Sequence, residues 1–359
     1  MLSMFITPVL RQNVHCFGQD SCYPLAFGLP AALMVIALGV FAIGYRSYVM
    51  VPPAGNGFVQ VVKACSTAAV EKFRQRGQPK PSHWIYYART KFEASFLADT
   101  RAVLAIVSLL SPLSFFWALY DQQGSRWTYQ GMMMETKLWG LSIKPEQMGI
   151  INAFLILALI PAFEYIIYPA LAFCGLKMRP ISRMMGGMIL AMISFLMAAT
   201  LQFIMEKRGT FVANPADPNA LVCVEDCVHI LWQFPQYFVI TCAEVMLSVT
   251  GLEFAYSQAP LTMKSVCQAT WLLTVAAGNL IVIIVTLIDP VRLFTKSYVQ
   301  AWNFILWTVI LALGTVLFLV AAAKYEYVED RQPDPELFER LHSPKEGITT
   351  PQDDLLLSE

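Results

Sequence analysis

Charge is scarce in this chain. Of 359 residues only 14% are charged while 57% are hydrophobic, and the mean hydropathy is +0.54; a soluble domain carries about 25% charged residues. That composition excludes a disordered chain and an ordinary soluble domain. The 25 Lys and Arg are cancelled by 25 Asp and Glu, so no basic excess points to nucleic acid. Histidine is nearly absent. The four present, His15, His83, His229 and His342, all fall outside the long apolar runs, leaving no imidazole proton relay within them. None of the eight cysteines has zinc-ligand spacing with a histidine, and there is no nucleotide-binding loop and no catalytic triad. The sequence therefore predicts neither a metal site nor an enzyme. Residues 1–10 lack a basic start and a small-residue cleavage site, which argues against a signal peptide.

What is abundant is apolar sequence in blocks of about 20 residues, the length a helix needs to cross about 30 Å of hydrocarbon. Seven blocks qualify, at 24–45, 102–120, 149–173, 184–205, 236–256, 268–288 and 300–323. The prediction is an all-α membrane protein with seven transmembrane helices. Basic residues give the orientation, because they accumulate on the cytoplasmic side. One alternating set of connections, 46–100, 174–183, 257–267 and the tail from 324, carries 16 of the Lys and Arg, against 8 in the other set. The C-terminus is then cytoplasmic. The division that follows is an initial segment 1–23, a first span 24–45, a cytoplasmic loop 46–101, a six-helix bundle 102–323 and a disordered tail 324–359. Within the loop, FVQVVKACSTAAVEKFRQR has the spacing of an amphipathic helix, read either as lying on the membrane face or as a solvated linker.

Cys16 with Cys22 and Cys223 with Cys227 fall in outer connections, where disulfides can form; two disulfides or four thiols are both open. Cys65, Cys174, Cys242 and Cys267 read as small packing residues.

Three carboxylates lie within spans, Glu164, Glu244 and Glu253. Each costs about 2.5 to 3.5 kcal/mol at a helix centre on insertion scales, so something polar must face it. A hydrated pathway or helix-to-helix pairing would serve. Glu244 and Glu253 are nine residues apart, which places them on opposite sides of a straight helix. Glu253, next to Gly251 and followed by YSQAP, is the expected site residue, and Glu244 the expected packing contact. In SPLSFFWALYDQQGSRW, Phe116 and Tyr120 share a helix face beside Trp117, and Pro112 is placed to kink the approach. An interfacial aromatic belt explains these rings; so does a surface for a peptide-like solute, given Asp121, Gln122, Gln123 and Arg126 directly after them.

At these residues the sequence resembles the proton-coupled oligopeptide transporters of the major facilitator superfamily, in their animal peptide-transporter branch. The matching stretches are CYPLAFGLPAALM, FWALYDQQGSRW, MGIINAFLILALIPAFEYIIYP and the long run FPQYFVITCAEVMLSVTGLEFAYSQAPLTMKSVCQATWLLTVAAGN. The resemblance implies symport of di- and tripeptides by alternating access in the plasma membrane rather than the endolysosomal one, driven by a proton gradient with no cofactor. It also implies the last helix of an N-terminal bundle followed by a complete C-terminal six-helix bundle, so that the chain is a fragment. Carried over by position, Phe116, Trp117 and Tyr120 line the substrate cavity, and Asn152 with Glu253 hold the peptide's amino terminus. Glu164 acts in gating or coupling; the family's arginine position falls at Ala105, leaving Arg101, one turn earlier, as its expected partner. The alternatives are a truncated isoform that associates with a full-length transporter and, from seven spans alone, a heptahelical receptor. The receptor lacks its end-of-third-span triplet and its NPxxY sequence here.

Overall fold

A computed structural model describes residues 2–16, 18, 22–50, 57–75, 81–138, 140–214, 217–294 and 298–327. The expected tail beyond 327 lies outside these. In chain order the helices are α1 (Leu2–Asn13), α2 (Tyr23–Ile43), α3 (Gly57–Arg74), α4 (Ala94–Leu110), α5 (Leu113–Tyr120), α6 (Arg126–Met132), α7 (Gly149–Ala162) and α8 (Tyr168–Phe173). They continue as α9 (Pro180–Arg208), α10 (Phe234–Glu244), α11 (Thr250–Ser257), α12 (Lys264–Ile288), α13 (Pro290–Phe294) and α14 (Val299–Ala323). Two short antiparallel hairpins sit in connections, β1 (Lys137–Leu138) with β2 (Leu141–Ser142), and β3 (Thr210–Asn214) with β4 (Asp217–Glu225).

The helices account for seven spans. Six are long and apolar enough to cross a membrane, and a seventh is the pair Ala94–Leu110 and Leu113–Met132, bent by 41°. The bend falls at Pro112, which has no amide hydrogen to give to the helix ladder. Two other spans carry a π turn instead of a break, Phe163–Ile167 between α7 and α8 and Val245–Val249 between α10 and α11. Each π turn places one of the acidic residues, Glu164 or Glu244, inside it or directly before it.

Around α9 the bundle packs α10 on one side and α14 on the other, while α5 is held between α12 and α14. The core is aromatic: Trp127, Phe195, Tyr237, Phe304 and Trp307 are all buried, and Trp127 meets the Tyr237 ring edge-on at 4.8 Å. Small residues let the backbones close up, as they do between membrane helices that gain nothing from excluding lipid. At Gly278 on α12 an added Cβ would lie 2.8 Å from both Ser114 O and Trp117 Cβ on α5. Because one of those neighbours is backbone, the helices themselves must part. Gly278→Ala is expected to lower stability by about 1 to 3 kcal/mol, read from thermal unfolding of the purified chain, with a change in tryptophan emission as Trp117 moves.

α2 stands apart. Only 6% of its most apolar window is buried, against 61% for the span Ile230–Ser257. Its polypeptide neighbour is α1, tied to it by the Cys16–Cys22 disulfide with Cα atoms 5.1 Å apart. A second disulfide joins Cys223 to Cys227 at the end of β4, Cα atoms 5.7 Å apart. Helix α3 forms where amphipathic spacing predicts one. Its Val61, Ala64 and Ala68 stripe is buried, Ala64 and Ala68 against Ile85 and Ala88 of the turn Trp84–Thr90, and Phe58, Val70 and Phe73 are left exposed. It is therefore docked on protein along one face, which neither sequence reading included. Cys65 packs beside that contact, and burial pushes its thiol above the ordinary range. Cys174, expected to pack, is exposed instead, because it closes α8 at the end of a span.

Candidate functional site

The polar centre of the bundle is assembled from three helices. α5 brings Tyr120, α7 brings Asn152 in its first turn, and α10 brings Thr241 and Glu244 in its last. The Asn152 amide nitrogen donates to Tyr120 Oη at 2.9 Å and to Glu244 Oε2 at 3.2 Å, while its oxygen accepts from Thr241 Oγ1 at 2.9 Å. Tyr120 also lies within hydrogen-bonding reach of the Glu244 carboxylate. An acid in a span is tolerated here because an amide and a phenol face it. The same arrangement can hold a cation: carboxylate oxygen supplies charge, and the surrounding amide and hydroxyl groups supply acceptors in fixed positions.

This corrects the expected pairing of Asn152 with Glu253. Nine residues further along the same span, Glu253 sits about 13 Å up the helix axis, out of reach of an amide already bonded to Glu244. Glu253 is exposed on α11 and, among the described residues, makes no hydrogen bond or ion pair. Glu244, expected to be a packing residue, is the one at the centre. The π turn that begins after it re-phases everything beyond, which a straight-helix projection cannot register.

Of the three rings, Trp117 and Tyr120 are partly exposed beside this cluster and pack edge to face at 5.7 Å. Phe116 stacks under Tyr120 at 5.8 Å but is itself fully buried, so it supports the cavity wall rather than lining it. Trp271 on α12 extends the aromatic wall, meeting Trp117 at 5.9 Å, a contact the sequence did not reveal.

Glu164 does not have Arg101 as its partner. Its Oε1 is 4.0 Å from Arg183 Nη1 on α9, and the Arg183 guanidinium covers the Tyr168 ring at 3.8 Å. Arg101 lies on the exposed side of α4 and lines a different cavity, of about 480 Å3, with His83, Trp84 and Lys324. The π turn turns Glu164 toward α9 and away from α4. A double-mutant cycle in thermal stability is expected to give a coupling of about 0.5 to 1 kcal/mol for Glu164 with Arg183, in the range of part-exposed pairs. For Glu164 with Arg101 it should vanish within about 0.3 kcal/mol. Equal couplings would contradict the geometry.

Sequence reasoning also missed a chain of buried glutamines. Gln130 Nε2 donates to Gln202 Oε1 at 3.0 Å and to Ala198 O at 3.1 Å, and its oxygen accepts from Gln233 at 3.1 Å and Gln236 at 3.0 Å. Gln202 in turn donates to Glu206 Oε1 at 2.8 Å. Gln202 and Gln236 fall within the apolar blocks and Gln130 and Gln233 outside them, so no local feature of the sequence marks the four as one network. Among the described residues no group of His, Cys, Asp and Glu is arranged to hold a metal.

With this geometry in hand, the comparisons with known proteins are specific. Zebrafish solute carrier family 15 member 2 is 30% identical, the match covering 93% of this chain and 70% of that protein. Human solute carrier family 15 member 1 is 28% identical over 94% and 72% respectively, and Drosophila melanogaster peptide transporter family 1 is 28% identical over 92% and 68%. Among solved structures, an auto-inhibited POT family peptide transporter superposes with a TM-score of 0.69 at 25% identity, covering 93% of this chain and 70% of that one. The bundle of apolar helices and these likenesses make it a multi-pass membrane protein of transporter fold, with relatives that are transporters and not enzymes, and they give the receptor alternative no support. The POT family profile matches residues 1–301, and the chain belongs to the POT family.

Proposed function

We propose that the chain serves proton-coupled symport of di- and tripeptides by alternating access, in the plasma membrane with its C-terminus cytoplasmic. The observation that carries this reading is the cluster of Glu244, Asn152 and Tyr120, a carboxylate framed by an amide and a phenol within a span. A peptide's ammonium group matches it in charge and in hydrogen-bond direction. Trp117, partly exposed and backed by the buried Trp271 ring, offers an apolar face for a side chain next to that polar end. Glu244 must be ionised to hold an ammonium, so in symport the accompanying proton rides on a different group, and a proton bound at Glu244 itself releases the peptide's amino terminus. Phe116 supports the wall and Glu164 with Arg183 fixes the α8 to α9 junction in this scheme.

The test is uptake into proteoliposomes of labelled alanyl-alanine and of its N-acetylated form, under an inward proton gradient. Uptake of the free dipeptide is expected to exceed that of the acetylated one by at least about 30-fold, as expected when a desolvated charge pair worth about 2 kcal/mol or more is lost, and to stop when the gradient is collapsed. Equal uptake of the two peptides, or indifference to the gradient, would refute it. A second reading, a non-transporting chain that associates with a full-length transporter, is favoured by the unpartnered apolar surface of α2. Co-purification with a longer family member and absence of uptake by this chain alone would select it.

A further inference from the structure

Away from the Glu244 cluster, α6 and the adjoining ends of α9, α12 and α14 leave a cavity of about 950 Å3 beside the β3–β4 hairpin. None of its lining residues belongs to the cluster described above. Its charges have a definite pattern. Arg126 and Arg292 both line it, and the charges of Asp289 and Arg292 are both near enough to act on Arg126. Glu206 lines it too, at the end of the buried glutamine chain. Apolar contacts come from Phe211, Leu221 and Val282.

The arginines have capacity to spare. Among the described residues, Arg126 makes one hydrogen bond, from Nε to Gln122 Oε1 at 3.0 Å, which leaves the terminal nitrogens of its fork for another acceptor. Arg292 directs Nε to Asp289 Oδ2 at 3.1 Å and is 76% exposed, so its terminal nitrogens also remain available. Two guanidinium groups on one cavity suit a carboxylate, which each can bind in fork geometry. A simple anion does not account for Glu206, whose carboxylate would repel it. A molecule with a carboxylate at one end, an ammonium at the other and an apolar body between them satisfies every charged group in the lining. The volume lies within the range of small-molecule sites.

We propose that this cavity is a second binding site, for a small zwitterion of the amino-acid or short-peptide class, with its carboxylate on Arg126 and Arg292 and its ammonium on Glu206. The choice of a peptide as that zwitterion rests on the function proposed above; the charge pattern does not. Positioned apart from the Glu244 cluster, the site would hold solute before or beside transport rather than carry it.

Equilibrium binding of labelled alanyl-alanine to the full chain in lipid nanodiscs tests it. Parent chain is expected to bind two equivalents, Glu244→Gln one, and Glu244→Gln combined with Arg292→Gln none within a tenfold higher concentration range. Arg292→Gln alone should bind one. Glu206→Gln provides the second variant, with the same expected loss, and thermal unfolding confirms that each variant is folded. If Glu244→Gln alone abolishes all saturable binding, the second site is overturned while the peptide reading stands. If the parent chain binds no dipeptide, both are overturned. Acetate displacing the dipeptide from the Glu244→Gln chain as effectively as unlabelled alanyl-alanine would overturn the zwitterion assignment.

Discussion

Replacing Glu244 with Gln is expected to lower dipeptide uptake by at least about 30-fold, while Glu253→Gln changes it by less than about threefold. The two carboxylates share one span and one residue type, so the contrast isolates position. Glu244 is partly buried and bonded to Asn152 at 3.2 Å with Tyr120 beside it, so an ammonium arriving there meets a charge shielded from water. Removing one partner of such a pair costs about 2 to 5 kcal/mol, and each 1.4 kcal/mol is a factor of ten. Glutamine keeps the shape and one acceptor, so the loss reports charge rather than collapse. Glu253 is exposed and holds nothing among the described residues, so its neutralisation removes no comparable interaction. Initial rates of labelled uptake, with expression and thermal stability matched, provide the measurement. A larger loss for Glu253→Gln would overturn the assignment of the central carboxylate.

Gln130→Ala is expected to destabilise the chain by about 2 to 6 kcal/mol. Four hydrogen bonds converge on this fully buried side chain, two from α9, one from the turn Ile230–Gln233 and one from the first turn of α10. The lower bound takes about 0.6 kcal/mol per bond, the average for bonds between membrane helices. The upper bound reflects buried donors and acceptors left without partners, at about 1 to 3 kcal/mol each. Gln236 is the most exposed to this loss, since Gln130 Oε1 is the acceptor for its amide and its own oxygen already lacks a partner. Gln130→Met keeps the volume and removes the bonds, separating the network from the cavity a truncation would leave. Both variants should unfold at a temperature lower by about 5 °C or more. Parent-like stability of Gln130→Met would show that packing, not hydrogen bonding, holds this region.

Composition and periodicity are local properties, and what depends on them was readable in advance. A run such as 184–205 must be helical in lipid whatever its neighbours do, because no water is present to take its backbone hydrogen bonds. The seven spans, the bend at Pro112, the helix at 57–74 and the aromatic grouping around Trp117 follow from that. Which acid does the holding does not. Glu244 and Glu253 present the same insertion penalty and the same residue type, and only the register of α10 against α7, with the π turn after Glu244, decides that Asn152 meets one and not the other. Likewise Glu164 finds Arg183 rather than Arg101 because a second π turn rotates it toward α9. Sequence determines where polar groups must be compensated, since that is a cost per residue. Tertiary structure alone chooses the compensating partner, since a hydrogen bond requires about 3 Å between atoms that the chain, as with Asn152 and Glu244, places 92 residues apart.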